Sequence, residues 1–427
     1  MKPFEISDAV IIAVGSEMLT SDRFDTNSMF LTSKLNDLGI RLAYKVVVGD
    51  CMEQISEAIR AGMSAVDIVL VTGGLGPTAD DVTREAVAAV FGVALEEHVP
   101  SAQLIRERFR ARGLKMPGIN LRQALIPAGA EVLVNGRGTA PGMWVRGGDA
   151  VCLVLPGPPR ELQPMFTEAT SKWIEPLCRQ QNSLHRLVIS TCGRPESFIE
   201  EVTYPVYSRL RDGNPSIETS ILASSGQVDL WLSARSVDNV GVIKVLEDAA
   251  DEISGLLGDD IVSVNGSTLE AVVGQLLRAS KNSLTVAESC TGGLVFARLT
   301  NVPGSSDYLG IGWVVYSNEA KVKMLGVDKK LIEHEGAVSG PVAVAMARGA
   351  RIKAKADFSL SITGIAGPGG GSRDKPVGRI FISLAGPEGF SKTKQLELRG
   401  SREEIRAQAT LYALDLLRRN LLRRVVK

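Results

Sequence analysis

Continuous apolar runs alternate along this chain with segments in which apolar residues recur at helical spacing. Residues 9–14, Ala-Val-Ile-Ile-Ala-Val, form an unbroken run that stops at Gly15-Ser16-Glu17, the pattern of a parallel strand buried on both faces. Thr26-Asn27 predicts the cap of a helix that runs to Leu38 and ends at Gly39. Strands at 42–48 and 67–71 with a helix at about 53–61 between them complete a βαβαβ alternation. That alternation predicts a parallel sheet with helices on both faces, whose ligands bind at the carboxyl ends of the strands. Across 173–260 the pattern weakens to strands at 187–190 and 227–234 and helices near 195–209 and 240–257, a small α+β module. Residues 264–267 are a turn-rich joint, and the helix after it is amphipathic through Leu269, Val272, Val273, Leu276 and Leu277. Alternation then resumes. Strands are predicted at 284–287, 313–316 (a second buried strand), 358–362 and 379–385, with helices from Leu294, at 340–353 and at 401–422. The expected fold class is α/β: two doubly wound three-layer domains, 1–172 and 261–427, joined by the α+β module at 173–260.

Composition narrows the function. A chain of 427 residues is too long for one ordinary core and suggests about two to three domains. Lysine plus arginine equals aspartate plus glutamate at 48 each, so no basic surplus favours wrapping a nucleic acid. The five cysteines are scattered, with no C-x-x-C pair and no histidine at ligand spacing, which fits reduced thiols rather than a disulfide framework or a zinc site. The amino terminus lacks an apolar signal core, and no run approaches the roughly 20 apolar residues that cross a bilayer. A cytoplasmic location without a membrane partner is expected.

The most chemistry falls in 284–321. A short strand ends in Glu288-Ser289-Cys290-Thr291, and Gly292-Gly293 lead into a helix. Such a turn exposes backbone N–H groups at the positive end of a helix and puts Ser289, Cys290 or Thr291 beside an oxyanion or phosphate. A serine needs a base, which Tyr316 or a lysine of lowered pKa, Lys321, can supply. Against this, a serine before Gly-Gly is ordinarily a helix cap, and a lysine after Tyr-Ser-Asn is ordinarily solvated. Cys290 is the rival nucleophile, though none of the three histidines (His98, His185, His334) lies within its motif. In the first half, T-G-G-L-G-P-T-A-D-D-V-T at 72–83 ends a strand and opens a helix. Its glycines permit close backbone approach, and Asp80-Asp81 either hold a divalent cation that bridges phosphates or cap the helix.

These segments carry two resemblances. The stretch 284–321 resembles the signature of the CinA carboxy-terminal domain, the nicotinamide mononucleotide (NMN) deamidase family. G-A-V-S at 336–339, S-I-T-G-I-A-G-P-G-G-G at 361–371, K-P-V-G at 375–378 and G-S-R-E-E-I-R at 400–406 agree with it. The resemblance implies Ser289 as nucleophile, Tyr316 and Lys321 as base and relay, and a hydroxyl from Thr363. It further implies substrate contacts from Glu288, Cys290, Thr291, Gly292, Gly293 and Asn318, and from Gly364, Gly367, Arg402 and Arg406 on the facing side. No cofactor is implied there.

The first half resembles the molybdopterin-binding MoaB/MogA-like fold, and more closely its CinA amino-terminal version. Gly15-Ser16-Glu17 stands at the family's G-T-E, Asp25-Thr26-Asn27 at its D-T-N, and N-G-R-G-T-A-P-G at 135–142 and L-P-G-P-P-R-E-L at 155–162 also fit. This implies a nucleotide diphosphate, ADP-ribose or NAD-like, held by Gly73, Gly74, Gly76, Thr78, Asn27 and Thr139. A divalent cation (Mg²⁺, Mn²⁺ or Co²⁺) is implied at Glu17, Asp80 and Asp81. The loop at 19–24 departs from the family's more apolar, glycine-containing type. The middle segment is similar to a KH-like domain, with G-R-P-E-S in place of G-I-G-E-S, where Arg194-Pro195 stiffens the loop. Together the resemblances imply a homodimeric enzyme of pyridine nucleotide salvage that deamidates NMN to nicotinic acid mononucleotide and cleaves ADP-ribose or a dinucleotide. Two alternatives stand beside this reading. One is a single deamidase with a regulatory nucleotide- or molybdopterin-binding module, and the other an interaction protein of DNA uptake, which the balanced charge disfavours.

Overall fold

The structure is a computed structural model that describes residues 4–20, 23–178, 183–213, 215–224, 226–236 and 239–425. Ser21 and Asp22 of the atypical loop lie outside the described residues. The chain divides into two compact units, Met1–Leu184 with Arg235–Asn239, and His185–Ala234 with Val240–Lys427. Among the described residues no helix is long and apolar enough to cross a membrane.

The first unit contains, in order, β1 (Asp8–Val14), α1 (Thr26–Asp37), β2 (Arg41–Val48), α2 (Met52–Ala65), β3 (Ile68–Thr72) and α3 (Thr83–Phe91). There follow β4 (Leu95–Glu97), α4 (Val99–Ala111), β5 (Leu125–Pro127), β6 (Glu131–Leu133), β7 (Gly142–Gly147), β8 (Ala150–Leu155) and α5 (Pro159–Ala169). The main sheet has the order β2-β1-β3-β8-β7-β6, parallel through β8 and antiparallel at β7 and β6. The unbroken run in β1 is explained by burial on both faces: Ile11 packs with Leu35, Leu70 and Phe166, while Ile12 packs with Ile59, Val71 and Val87 on the other side. Beyond α5 the helical path continues, and Trp173 stacks on Trp144 at 5.3 Å within this core.

The second unit opens with β9 (Ser183–Cys192), α6 (Glu196–Arg211), β10 (Glu218–Ser224), β11 (Gln227–Ser236), α7 (Asn239–Leu257) and β12 (Ile261–Ser263). Its four strands run in the order β10-β11-β9-β12. The continuation comprises α8 (Leu269–Ala279), β13 (Leu284–Glu288), α9 (Leu294–Thr300), β14 (Leu309–Val314), α10 (Asn318–Leu325), α11 (Lys329–Glu335) and α12 (Gly340–Ala354). It ends with β15 (Phe358–Gly364), β16 (Arg379–Ala385), β17 (Ser391–Glu397) and α13 (Arg402–Val425). The sheet order is β14-β13-β15-β16-β17; the first three strands are parallel and the last two antiparallel. Val286 faces a core that includes residues of α8, α9 and α13, and Ala287 faces residues of α10, α11 and α12.

The expected second buried strand at 313–316 is different. It spans Leu309–Val314, is largely exposed and forms the sheet edge, since among the described residues no strand pairs on its outer side. Its apolar residues are a one-sided run, which periodicity alone does not separate from a core strand.

The middle sheet is tied to α13 by charge. Arg418, 1% exposed, reaches Asp415 at 2.6 Å and the carbonyls of Ile261 and Asp259. Arg419 joins Asp415 to Asp260 and to the Cys192 carbonyl. Arg194, the departure from the family pattern, donates to Asp260 at 2.7 Å and lies over the Phe198 ring. Removing one partner of a buried pair leaves the other charge uncompensated, so Asp415→Ala is expected to cost about 3–5 kcal/mol of unfolding free energy. An unchanged urea midpoint for Asp415→Ala would show that the carbonyls alone hold Arg418.

Candidate functional site

In the second unit the parallel strands β13 and β15 end side by side, and Ser289 follows β13 directly. Its N–H donates to the Ile362 carbonyl at 2.9 Å, which locks the start of the turn onto β15. Across from it, α10 begins at a cap formed by Ser317, whose hydroxyl accepts from the Ala320 N–H. One turn further, α10 delivers Lys321, whose side chain is 1% exposed, against the expectation of a solvated lysine. The Lys321 amine stands 3.2 Å from the Ser289 hydroxyl, 3.0 Å from the Val315 carbonyl and 3.2 Å from the Tyr316 carbonyl. Burial pulls the amine below the ordinary lysine range. A neutral amine has two N–H donors for the two nearer carbonyls and a lone pair left for the serine hydroxyl. The geometry is thus compatible with a serine–lysine pair.

Cys290 is buried, and desolvation pushes its thiol up to about 12, so the rival nucleophile is held as a thiol. Tyr316 is 63% exposed, and its hydroxyl is bound by Arg402 at 3.1 Å rather than by Ser289 or Lys321. Arg402 also donates to the Gly367 carbonyl at 2.6 Å, so it bridges the pocket rim. Thr363 is buried and donates to the Ala337 carbonyl at 2.8 Å. A pocket of about 270 Å³ is lined by Ser289, Cys290, Tyr316, Asn318, Lys321 and Thr363, with Gly364, Gly367 and Arg402 closing it.

Five expected contacts lie outside that lining. Arg406 donates to the Thr291 carbonyl at 2.7 Å and supports the turn from behind, and Gly292 and Gly293 take positive φ to return the chain into α9. Glu288, 1% exposed, accepts from the N–H groups of Gly293 at 3.0 Å, Val295 at 3.1 Å and Phe296 at 2.9 Å. The helix end expected to receive a substrate anion is therefore already satisfied by a side chain, and Ser289 is freed from capping. Lining by Ala337, Val338, Ile365, Ala366, Gly369 and Gly370 was not assigned from sequence. Its signal was present in the G-A-V-S and G-I-A-G-P-G-G strings.

In the first unit the turn after β3 lines a pocket of about 380 Å³ with Gly73, Gly74, Gly76, Asp80, Asp81, Glu17 and Thr139. Gly73 has φ +97°, and a Cβ there would meet the Val14 carbonyl oxygen at 2.2 Å. Asn27 donates to the Gly157 carbonyl at 2.6 Å and so ties α1 to the Pro156–Gly157–Pro158 wall instead of lining the pocket. Thr78 is turned inward: its N–H at 2.9 Å and its hydroxyl both donate to Asp81. Asp81 thus closes the turn, and neither aspartate caps α3, whose cap residue is Val82 with no side-chain bond. Hydrogen bonds from Thr78 and from its own backbone hold the Asp80 carboxyl below its usual range. Among the described residues no group of three or more His, Cys, Asp or Glu comes together to hold a metal. With Asp81 engaged by Thr78, Glu17, Asp80 and Asp81 do not fit a protein-only cation cage.

Sequence reasoning missed three polar residues of this wall, Asp50, Gln123 and Glu161, and the fully buried Arg84 beneath it. Arg84 donates to the carbonyls of Gly76 at 3.1 Å and Asp81 at 3.3 Å, which fixes the turn from below. Glu161 had a signal in the L-P-G-P-P-R-E-L string, and Asp50 in its place just past a strand end. Gln123 had none.

Fold and pockets thus define a two-unit α/β protein with a serine–lysine pocket at the strand ends of one unit and a glycine-turn pocket in the other. Residues 266–421 match the family described as "CinA C-terminal domain", and residues 10–176 the one described as "Probable molybdopterin binding domain". Over 414 residues the chain is 42% identical to a "CinA-like protein" of Solibacter usitatus, covering 97% of this chain and 98% of that one. It is 44% identical over 421 residues to a "CinA-like protein" of Acidobacterium capsulatum, covering 97% and 100%. The chain belongs to the CinA-like family. Among solved structures, the competence/damage inducible protein CihA of Agrobacterium tumefaciens is 36% identical, with a TM-score of 0.35, over 36% of this chain and 96% of that chain. The protein CinA of Thermoplasma acidophilum is 30% identical, with a TM-score of 0.37, over 39% and 98%.

Proposed function

We propose that the second unit hydrolyses the carboxamide of nicotinamide mononucleotide to nicotinic acid mononucleotide and ammonia. The observation that carries this reading is the buried Lys321 amine, 3.2 Å from the Ser289 hydroxyl. In the proposed reaction Ser289 Oγ attacks the carboxamide carbon as Lys321 takes its proton. The C–N bond then breaks, and ammonia leaves with the proton returned by Lys321. Water attacks the resulting ester, again giving a proton to Lys321, which restores it to Ser289 as the carboxylate is released. Arg402 at the rim is the cation placed to meet the mononucleotide phosphate.

The test is incubation of the full chain with NMN, with product mass and ammonia release as readouts. Ser289→Ala is expected to abolish release, whereas Cys290→Ala retains it; the opposite result would move the nucleophile to the thiol. Chelator is expected to leave the rate unchanged. Lys321→Ala is expected to cost on the order of a hundredfold or more.

A pH dependence follows from the amine. Only the neutral form accepts the serine proton, and its fraction rises with pH, so kcat/KM rises through the lysine pKa. Because burial lowers that pKa, the rising limb is expected below the ordinary value of 10.5. A limb at or above 10.5 would show an unperturbed lysine and remove it as the base.

For the first unit, the glycine-turn pocket supports binding of a nucleotide diphosphate. Its wall presents five carboxylates, Glu17, Asp50, Asp80, Asp81 and Glu161, and no lysine or arginine among the described residues. The diphosphate's charge is therefore met by backbone N–H groups of the turn and by the counter-ions it brings. Calorimetric titration of the full chain with ADP-ribose, with and without Mg²⁺, Mn²⁺ or Co²⁺, measures this binding, and product masses show whether cleavage accompanies it. Asp81→Ala opens the turn that Thr78 closes. It is expected to weaken ADP-ribose binding at least tenfold while deamidation of NMN is unchanged; equal affinity would place the ligand elsewhere.

A further inference from the structure

The carboxylate of Glu288 sits immediately before the nucleophile in sequence, yet it faces away from the pocket lining and into the backbone of α9. Both of its oxygens are used: one accepts from Gly293 and Val295, the other from Phe296. Its own backbone is fixed as well, since the Glu288 carbonyl accepts from the Val315 N–H at 2.8 Å, beside the carbonyl that receives the Lys321 amine. The four-residue turn from Ser289 to Gly292 is therefore pinned at both ends. Ser289 N–H to Ile362 holds its start, and the Glu288 clamp holds its return. Among the described residues no other side chain accepts from the N–H groups of Gly293, Val295 and Phe296.

We propose that Glu288 is a positioning residue for amide hydrolysis, whose carboxylate clamps the start of α9 against the end of β13 and thereby sets Ser289 at bonding distance from the Lys321 amine. The proposal rests on the serine–lysine reading of this pocket. Glutamate suits the task because each oxygen only accepts and the three groups it meets only donate. Glutamine keeps the shape but turns an NH₂ donor toward an N–H donor, while aspartate keeps the charge and falls one methylene short. Both substitutions let the return of the turn drift, and a shift of the nucleophile alters the rate without removing a substrate contact.

The experiment uses the full chain carrying Glu288→Gln or Glu288→Asp. It reads steady-state NMN deamidation and, independently of NMN, the rate at which phenylmethylsulfonyl fluoride labels Ser289, followed by peptide mass. For both variants kcat is expected to fall at least tenfold with KM within about twofold, and sulfonylation of Ser289 to slow in parallel. A rise in KM with kcat and labelling unchanged would overturn the proposal in favour of a direct substrate contact. Unchanged kcat and labelling per folded molecule, or failure of both variants to fold, would overturn it in favour of a residue that serves the fold alone. If the wild-type chain releases no ammonia from NMN, the substrate assignment has failed, and the labelling rates still decide whether Glu288 positions the serine.

Discussion

A buried lysine amine is expensive unless it gives up its proton or finds acceptors, and among the described residues no carboxylate pairs with this one. Three successive carbonyls, those of Val315, Tyr316 and Ser317, lie within 3.5 Å of it, and all belong to the connection between β14 and α10. That connection curls around the amine just past the point where β14, the edge strand, makes its last bond to β13, from the Val315 N–H to the Glu288 carbonyl. The same choice exposes Tyr316 and hands its hydroxyl to Arg402. Burying the amine and building the rim thus both depend on the path of this one connection.

Both units place a glycine turn at the carboxyl ends of parallel strands, the position this topology reserves for ligands. Their electrostatics differ. In the second unit a buried amine and a rim arginine face the pocket, and the acid at the turn is consumed by α9. In the first unit the acids remain on the wall, and the buried Arg84 beneath it gives its Nη2 to carbonyls of the turn. The shared backbone plan therefore does not carry a shared chemistry; the side chains on and behind the turn decide it.

The strands buried on both faces were legible: β1 and β3 read as apolar runs, and β13 and β15 as short segments whose buried hydroxyls, at Thr285 and Ser361, are satisfied by backbone carbonyls. The residues meeting in each pocket were legible as strings of glycine and polar residues at strand ends. What the sequence did not carry was the direction of each side chain. Glu288 and Arg406 were read as pocket residues and point behind the turn, and Asp81 was read as a ligand or a cap and closes a loop on Thr78. Each is a long-range or loop-closing bond whose partner lies three to 115 residues away, so no local period encodes it. The strands β10 and β12 were missed for a related reason. Each depends on a neighbour for its stability rather than on a pattern of its own.

Helix α13 ties the chemistry to the middle sheet. Arg402 at the rim and Arg406 behind the turn are one helical turn apart at its start, and Arg418 and Arg419 grip Asp260, Ile261 and Cys192 near its end. At about 1.5 Å per residue the 16 steps from Arg402 to Arg418 span about 24 Å of continuous helix. Held at both ends by charged side chains, it is a continuous rod between the pocket rim and the middle sheet. The Arg194–Asp260–Arg419–Asp415 chain of ion pairs anchors the end of this helix that lies away from the pocket. The arginine that replaces the family's usual residue in the G-R-P-E-S loop adds one more anchor to the far end of that rod, and none to the pocket.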